Sequence, residues 1–128
     1  MKLVIGGAYQ GKLDYVLETE SFDAADVFAC EPSTLELDFS RPVINNLQNL
    51  IWAQQQKGIN SLAYLQTHRA QLQDKTIICE DLSSGVVPID TATRLWRETT
   101  GRCGVWLARE SDEVIRVFCG IGTRIKPR

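Results

Sequence analysis

The chain has few histidines and no long apolar run, and each shortage argues against a class of protein. One histidine occurs in 128 residues, and no apolar stretch approaches the roughly 20 residues of a membrane span. The start lacks the charged, apolar and small-residue order of a signal peptide. We therefore expect a cytoplasmic protein that does not contact membranes.

The cysteines show no pattern typical of a metal or disulfide site. Cys30, Cys79, Cys103 and Cys119 are scattered, with no Cys-x-x-Cys spacing and a single histidine to assist them. Three of the four lie within apolar stretches. The sequence predicts buried, reduced thiols and makes a metal centre built on them improbable.

Charge gives no reason to expect a nucleic-acid partner. Lys and Arg number 14 against 16 Asp and Glu, for a net charge of -2. Arg124, Lys126 and Arg128 form a short basic end, which we interpret as a solvated terminus. No linker is visible, so residues 1–128 are predicted to form a single domain.

Periodicity indicates strands alternating with helices. Strands are predicted at residues 3–5, 26–30, 76–79 and 113–119, with a brief extended piece at 35–39. Helices are predicted from residue 12, at 43–57 with Ser40 as cap, at 61–72, and at 90–109. This alternation predicts an α/β domain whose mainly parallel sheet has flanking helices and binds ligands beyond the carboxyl ends of its strands.

A glycine-rich loop follows the first strand. It matches the pattern of a phosphate-binding P-loop except at its last residue. The stretch is Gly6, Gly7, Ala8, Tyr9, Gln10, Gly11, Lys12 and Leu13. A P-loop has two such glycines, then Lys, then Ser or Thr, because backbone N–H groups and the ammonium hold phosphates while the hydroxyl holds Mg²⁺. Leu13 offers no hydroxyl. The loop is thus predicted to bind the phosphates of ATP or GTP and to hold Mg²⁺ poorly; the alternative is a turn without a ligand.

Acidic residues follow the third long strand, at the same predicted edge of the sheet as the glycine loop. Lys12 would stabilise charge on a transferred phosphoryl group, and Asp81 would hold Mg²⁺ through water or take a hydroxyl proton. Glu80 should point the opposite way along the extended chain. The alternative for Lys12 is an ordinary surface lysine at a helix start. The alternative for Asp81 is a residue that only caps the loop after the strand. His68 is expected to be an exposed helix residue.

The carboxyl-terminal third resembles the adenosylcobinamide kinase and adenosylcobinamide-phosphate guanylyltransferase family of cobalamin biosynthesis. The residues that carry the resemblance are Glu80-Asp81-Leu82-Ser83-Ser84-Gly85-Val86-Val87-Pro88, Arg94, Arg97, Gly101-Arg102, Leu107-Ala108, Asp112-Glu113-Val114 and Gly120-Ile121-Gly122. The middle of the chain carries no such resemblance. Membership implies a RecA-type P-loop fold of three layers, a homo-oligomer, and an enzyme that phosphorylates a corrinoid precursor and then transfers GMP to it.

Four departures from the family pattern are visible. The family carries its guanylyl group on a histidine between the second strand and the next helix, yet no histidine occurs between Val27 and Ser40. Leu13 replaces the P-loop hydroxyl, Asp81 stands for a Glu, and Gly104-Val105 stands for an Asn-Gln pair. The resemblance therefore predicts a shortened nucleotide-binding member without guanylyl transfer. Two hypotheses stay open: a surviving kinase, or a binding or scaffolding protein without turnover.

Overall fold

Strand order places the amino-terminal strand near the centre of a six-stranded sheet. The computed structural model describes residues 1–82 and 90–127. Its strands are β1 (Lys2–Gly6), β2 (Val27–Ala29), β3 (Val43–Asn45), β4 (Thr76–Glu80), β5 (Glu113–Phe118) and β6 (Ile121–Lys126). Their order is β2-β3-β4-β1-β5-β6, with every neighbouring pair parallel except β5 and β6. The predicted α/β class and mainly parallel sheet are confirmed.

Helices cover both faces of this sheet because the central strands are apolar on both sides. The helices are α1 (Lys12–Glu20), α2 (Leu47–Gln56), α3 (Ser61–Thr67), α4 (Arg69–Leu72) and α5 (Thr91–Glu110). Along β1, Leu3 joins the apolar cluster under α2, α3 and α5, whereas Val4 joins the cluster under α1. Alternate side chains of one strand thus enter two separate core layers. None of the described helices combines the length and apolarity needed to cross a bilayer.

The helix predicted from residue 43 was wrong over its first turn. Val43 and Ile44 form β3 and are fully buried, and α2 begins only after Asn46. The apolar spacing fitted a helix, but two β-branched residues between turn residues also fit a short strand that is buried on both faces. Ser40 therefore caps no helix; its hydroxyl hydrogen-bonds the carboxylate of Asp38.

Two other predicted elements differ from the structure. Residues 35–39 form no strand, and the helix predicted at 61–72 is divided into α3 and α4 at His68. Asn60 caps α3 and Asp90 caps α5, since each side chain accepts a hydrogen bond from a backbone N–H of the first turn. Ser83 and Ser84, which carry part of the family resemblance, lie outside the described residues.

The basic end contains a strand that the sequence analysis did not predict, because residues 121–126 form β6, paired antiparallel with β5. Arg124 pairs with Glu113, and the ammonium of Lys126 donates hydrogen bonds to the carbonyls of Ala108 and Arg109. Cys119 and Gly120 form the turn between the two strands, both with positive φ. These basic side chains fasten an edge strand to the domain.

Candidate functional site

The glycine loop joins the carboxyl end of β1 directly to the first turn of α1. Gly11 occupies the N-cap position with φ of 83°, a conformation that favours glycine. Gly6 has no room for a side chain, since a Cβ there would lie 2.5 Å from the carbonyl oxygen of Val117. The free N–H groups of the first turn of α1 border the loop and favour an anion.

Neighbouring strands fix the shape of the loop. The N–H of Asp81 donates to the carbonyl of Gly6 at 2.8 Å, which connects the end of β4 to the loop. From the β5–β6 turn, the N–H of Cys119 donates to Oε1 of Gln10 at 2.7 Å, and the N–H of Gly120 donates to the Gln10 carbonyl at 2.8 Å. The loop is therefore clamped from both sides before any ligand arrives.

Lys12 is turned inward over the loop. Its ammonium donates a 2.6 Å hydrogen bond to the carbonyl of Gly7. Burial lowers the pKa of Lys12, partly offset by the nearby charge of Glu80. The next residue, Leu13, packs against the apolar cluster under α1 and so serves the core. The lysine is thus placed to meet an anion above the loop, and no hydroxyl stands beside it.

Two clefts border the glycine loop. One, of about 180 Å³, runs from the loop toward the end of β3 and is lined by Tyr9, Gln10, Gly11, Lys12, Leu13, Asp14, Asn45 and Asn46. The other, of about 280 Å³, runs toward α5 and is lined by Gly7, Ala8, Glu80, Asp81, Leu82, Thr93, Trp96 and Arg97. The predicted site residues thus fall at one edge of the sheet, divided between the two clefts.

Asn45 and Asn46 are site residues that sequence reasoning missed. They follow Val43 and Ile44 at the carboxyl end of β3, where the incorrect helix assignment concealed them. Asn46 has φ of 58° in the one-residue link to α2. An Asn-Asn pair after two β-branched residues was the available signal for a strand end carrying polar groups.

On the other side, α5 brings Trp96 and Arg97 to the cleft that holds Asp81. Trp96 is fixed there, because its indole N–H donates to the carbonyl of Gln48 and its ring meets Trp52 edge-on at 5.5 Å. Arg97 adds a cation to a cleft that also contains Glu80. In the sequence this arginine stood out only as one of the residues that carry the family resemblance, since helix spacing alone could not place α5 against the loop.

The order of the strands and the geometry of the loop fit the family that the sequence resembles. Membership in that family is tested directly by comparison with a family profile. A profile of the cobinamide kinase / cobinamide phosphate guanyltransferase family matches residues 40–125. The chain belongs to this family. Its fold is accordingly that of a P-loop NTPase, and its functional class is that of the kinase and guanyltransferase proteins of cobalamin biosynthesis. A comparison with curated proteins found no match.

The family match covers more of the middle than expected and begins after the glycine loop. Residues 40–79, which carried no resemblance in our interpretation of the sequence, fall inside the matched range. Residues 1–39, with the loop, lie outside it. Membership in the cobinamide kinase / cobinamide phosphate guanyltransferase family therefore rests on the later strands and helices, and the case for nucleotide binding rests on loop geometry.

A divalent metal fits this member of the family poorly. Mg²⁺ at such sites takes a P-loop hydroxyl and a carboxylate from a neighbouring strand. Here Leu13 offers no hydroxyl, and the end of β3 carries the neutral amides of Asn45 and Asn46, so a carboxylate could come only from the end of β4 among the described strands beside the loop. Within residues 1–82 and 90–127, no group of three His, Cys, Asp or Glu side chains could hold a metal. Glu80 and Asp81 are the acidic groups lining the Arg97 cleft.

His68 lies away from the glycine loop. It separates α3 from α4, a few residues before β4 begins, and the next residue, Arg69, pairs with Glu110 at the end of α5. Those positions lie where the parallel strands begin, at the amino-terminal ends of β4 and β5. The glycine loop lies at the carboxyl-terminal ends of the strands. The His68 ring is half-buried between Phe39 and Tyr64, and Nδ1 lies 2.8 Å from the Tyr64 carbonyl. The expectation of an exposed residue was wrong.

Proposed function

We propose that this chain is a nucleotide-binding member of the cobinamide kinase / cobinamide phosphate guanyltransferase family in which affinity does not depend on Mg²⁺ and guanylyl transfer is lost. The observation that carries the proposal is the clamped loop with Lys12 above it and Leu13 after it. Backbone N–H groups of Gly6 to Leu13 would surround the β-phosphate of ATP or GTP. Lys12 would exchange its bond to Gly7 for one to a phosphate oxygen.

Titration calorimetry with GTP and ATP, each with Mg²⁺ or with a chelator, tests nucleotide binding and its metal dependence. We expect binding whose affinity changes little on adding Mg²⁺, because Leu13 stands where a P-loop has the hydroxyl that holds the metal. Lys12→Ala should weaken binding by roughly tenfold or more, the usual effect of losing a charge-assisted hydrogen bond. Lys57→Ala, at an exposed lysine after α2, is the matched control.

Two results would contradict the nucleotide proposal in different ways. Unchanged affinity in Lys12→Ala would mean that the loop is not a phosphate site. Binding that requires Mg²⁺ would mean that Glu80, Asp81 and the phosphates suffice to hold a metal. Leu13→Ser restores the missing hydroxyl, and we expect it to make affinity increase with Mg²⁺.

Loss of guanylyl transfer is tested separately, by incubation with GTP labelled at the α-phosphate. We expect no covalent label on the protein, because the histidine that would carry the guanylyl group is missing near the loop and His68 lies at the other edge of the sheet. Label that disappears in His68→Ala would refute this. Label that persists there would reveal a different nucleophile.

A second function, phosphorylation of a hydroxyl on a corrinoid precursor, is favoured by one observation. Asp81 and Arg97 line the same cleft as Gly7 of the loop. The hydroxyl oxygen would attack the γ-phosphorus, the bond from that phosphorus to the β-phosphate oxygen would break, and the proton would pass to the Asp81 carboxylate. Arg97→Ala should then abolish product formation from cobinamide and ATP while nucleotide affinity changes little.

A further inference from the structure

Three side-chain amides, those of Gln10, Asn45 and Asn46, line the cleft between the glycine loop and the end of β3. Asn45 is only 9% exposed, and its amide has no hydrogen-bond partner among the residues that the structure describes. Val43 packs in the cluster under α1 and Ile44 in the opposite cluster, so strand alternation directs the Asn45 side chain toward α1. Because buried polar groups are nearly always paired, this amide indicates a ligand in the cleft.

The orientation of the Asn46 amide is fixed by Gln48. A backbone N–H can only donate, and the N–H of Glu80 donates to Oε1 of Gln48 at 3.0 Å. The other end of the Gln48 amide, Nε2, therefore donates to Oδ1 of Asn46 at 3.3 Å. Gln48 is only 6% exposed, and its carbonyl accepts from the indole of Trp96. Since the Asn46 oxygen is occupied, its N–H₂ group is the part of the amide left for the cleft.

The remaining polar groups of the cleft are also mainly donors. Oε1 of Gln10 accepts from the N–H of Cys119, which leaves the N–H₂ group of this amide as well. Lys12 contributes an ammonium, which has donors only. Asp14 is the single carboxylate in the lining and is exposed to solvent. A lining rich in N–H donors favours an anion and is unsuited to a metal ion.

We propose that Asn45 and Asn46 donate N–H bonds to the phosphate chain of the nucleotide in place of a metal ion, with Gln48 as the residue that positions Asn46. The inference rests on the nucleotide site proposed above and assigns it the metal-free polyphosphate anion as its ligand. A carboxylate at the end of β3 would repel that anion unless a cation lay between them. A neutral amide removes the repulsion and supplies a donor.

Titration with GTP in the presence of a chelator tests the two amides one at a time. Asn46→Gly removes one amide and keeps the left-handed backbone, and Asn45→Ala removes the other. Each should weaken binding about tenfold, the usual effect of losing a hydrogen bond to a charged group. Asn45→Asp should weaken metal-free binding further, and Mg²⁺ should restore part of it. Gln66→Ala, at an exposed amide of α3, is the control and should bind as the wild type does.

Gln48→Glu tests the positioning role. The new carboxylate can still accept from the N–H of Glu80, but it cannot donate to Asn46, whose N–H₂ group should then turn toward position 48 and its oxygen toward the cleft. Metal-free GTP should bind about tenfold more weakly. Combined with Asn46→Gly, the same substitution should have little further effect, whereas direct repulsion by the added charge would persist.

Side-chain amide signals in nuclear magnetic resonance provide a measurement that needs no variant for binding. Metal-free GTP should shift the N–H₂ signals of Asn45 and Asn46 and leave that of Gln66 in place. Circular dichroism establishes that each variant is folded.

The outcomes separate this inference from the nucleotide site itself. Absence of GTP binding in the wild type would overturn both. Wild-type binding that neither shifts the two amide signals nor weakens in Asn46→Gly and Asn45→Ala would overturn the role of the amides alone. Weakening seen only with Mg²⁺ would make the amides metal ligands and also overturn it. An undiminished effect of Gln48→Glu in the Asn46→Gly background would overturn the positioning role of Gln48.

Discussion

Gly6 and Gly7 are adjacent in the chain, yet the structure leaves very different space around them. A Cβ at Gly6 would lie 2.5 Å from a backbone carbonyl oxygen, whereas one at Gly7 would meet its nearest atom, in the Gln10 side chain, at 3.8 Å. The backbone carbonyl of Val117 belongs to β5 and cannot move away from an added Cβ as the flexible side chain of Gln10 can. We therefore expect Gly6→Ala to reduce the free energy of unfolding by about 1–3 kcal/mol, the usual cost of overpacking.

Urea denaturation of Gly6→Ala beside Gly7→Ala measures this difference. Gly7→Ala should lie within about 0.5 kcal/mol of the wild type, as surface substitutions usually do. Gly6→Ala should also weaken nucleotide binding, because the loop must shift away from β5. Equal stability of the two variants would show that the Val117 carbonyl does not confine the loop.

Three of the four thiols are buried and one is exposed. Burial of the three should make the stability of the fold change with pH in the alkaline range. Cys30, Cys79 and Cys103 are buried, and desolvation raises the pKa of each to about 12, whereas Cys119 is exposed. In the unfolded chain these thiols ionise near pH 8.5. Between that pH and about 12 the unfolded state binds fewer protons than the folded state, so stability falls as pH rises.

Each buried thiol should lower the free energy of unfolding by up to about 1.4 kcal/mol per pH unit above its unfolded pKa. Denaturation at a series of pH values from 8 to 10.5 measures the slope. Cys103→Ala should make it shallower by one thiol's contribution, and Cys119→Ser should leave it unchanged. A slope that Cys119→Ser alone reduces would contradict the burial assignment.

At the scale of elements, the link between β3 and α2 consists of one residue, and its conformation decides where the chain turns. Asn46 has φ of 58° in this link, and its side-chain oxygen accepts a hydrogen bond from Gln48. Asparagine tolerates this left-handed conformation better than other residues with a Cβ, and β-branched residues tolerate it worst. The same residue lines the cleft beside Lys12.

Replacing Asn46 by Val should reduce the free energy of unfolding by about 1–2 kcal/mol, because the left-handed conformation is costly for a β-branched residue. Asn46→Gly should be close to neutral. Thermal denaturation of both variants provides the measurement, with Asn46→Ala as a comparison that loses the amide without adding a β-branched side chain. If Val and Gly at position 46 are equally stable, the link does not impose this conformation.

At the scale of the whole molecule, one charged network connects both ends of the chain. The ammonium of Lys2 lies 2.7 Å from Glu20 and 3.2 Å from Glu113, and Arg124 lies 2.8 Å from the same Glu113. Burial alone would lower the pKa of Lys2, but the two carboxylates outweigh it and the pKa is raised. The network therefore stabilises the fold below about pH 10 and weakens as pH rises through the raised pKa.

Arg124→Ala should reduce the free energy of unfolding by about 1 kcal/mol, since Arg124 is largely exposed while Glu113 is buried. Hydrogen exchange should show faster opening of β6 than of β1. Arg102→Ala, at an exposed arginine of α5, is the control and should have little effect. If exchange in β6 is unaltered by Arg124→Ala, strand pairing alone holds the edge.

Local sequence patterns were sufficient to predict those elements whose conformation is set by residues close together in the chain. The strand-loop-helix unit from Lys2 to Glu20 and the capped start of α5 at Asp90 could be predicted, because turn chemistry and capping act over a few residues. β3 and β6 could not be predicted in this way. β3 has only three residues and pairs with β4, some thirty residues later in the chain, whereas β6 is a largely exposed edge strand without the apolar pattern of a core strand.

The sequence by itself determined the α/β class, the glycine loop with Lys12 and Leu13, and the absence of a histidine between Val27 and Ser40, since these follow from residue types and close spacing. Only the tertiary structure decided that Asn45, Trp96 and Arg97 join the loop, that His68 lies at the opposite edge, and that Gln48 orients the Asn46 amide. Those outcomes depend on strand order and on how helices pack across the sheet, where contacts between distant residues determine the energy.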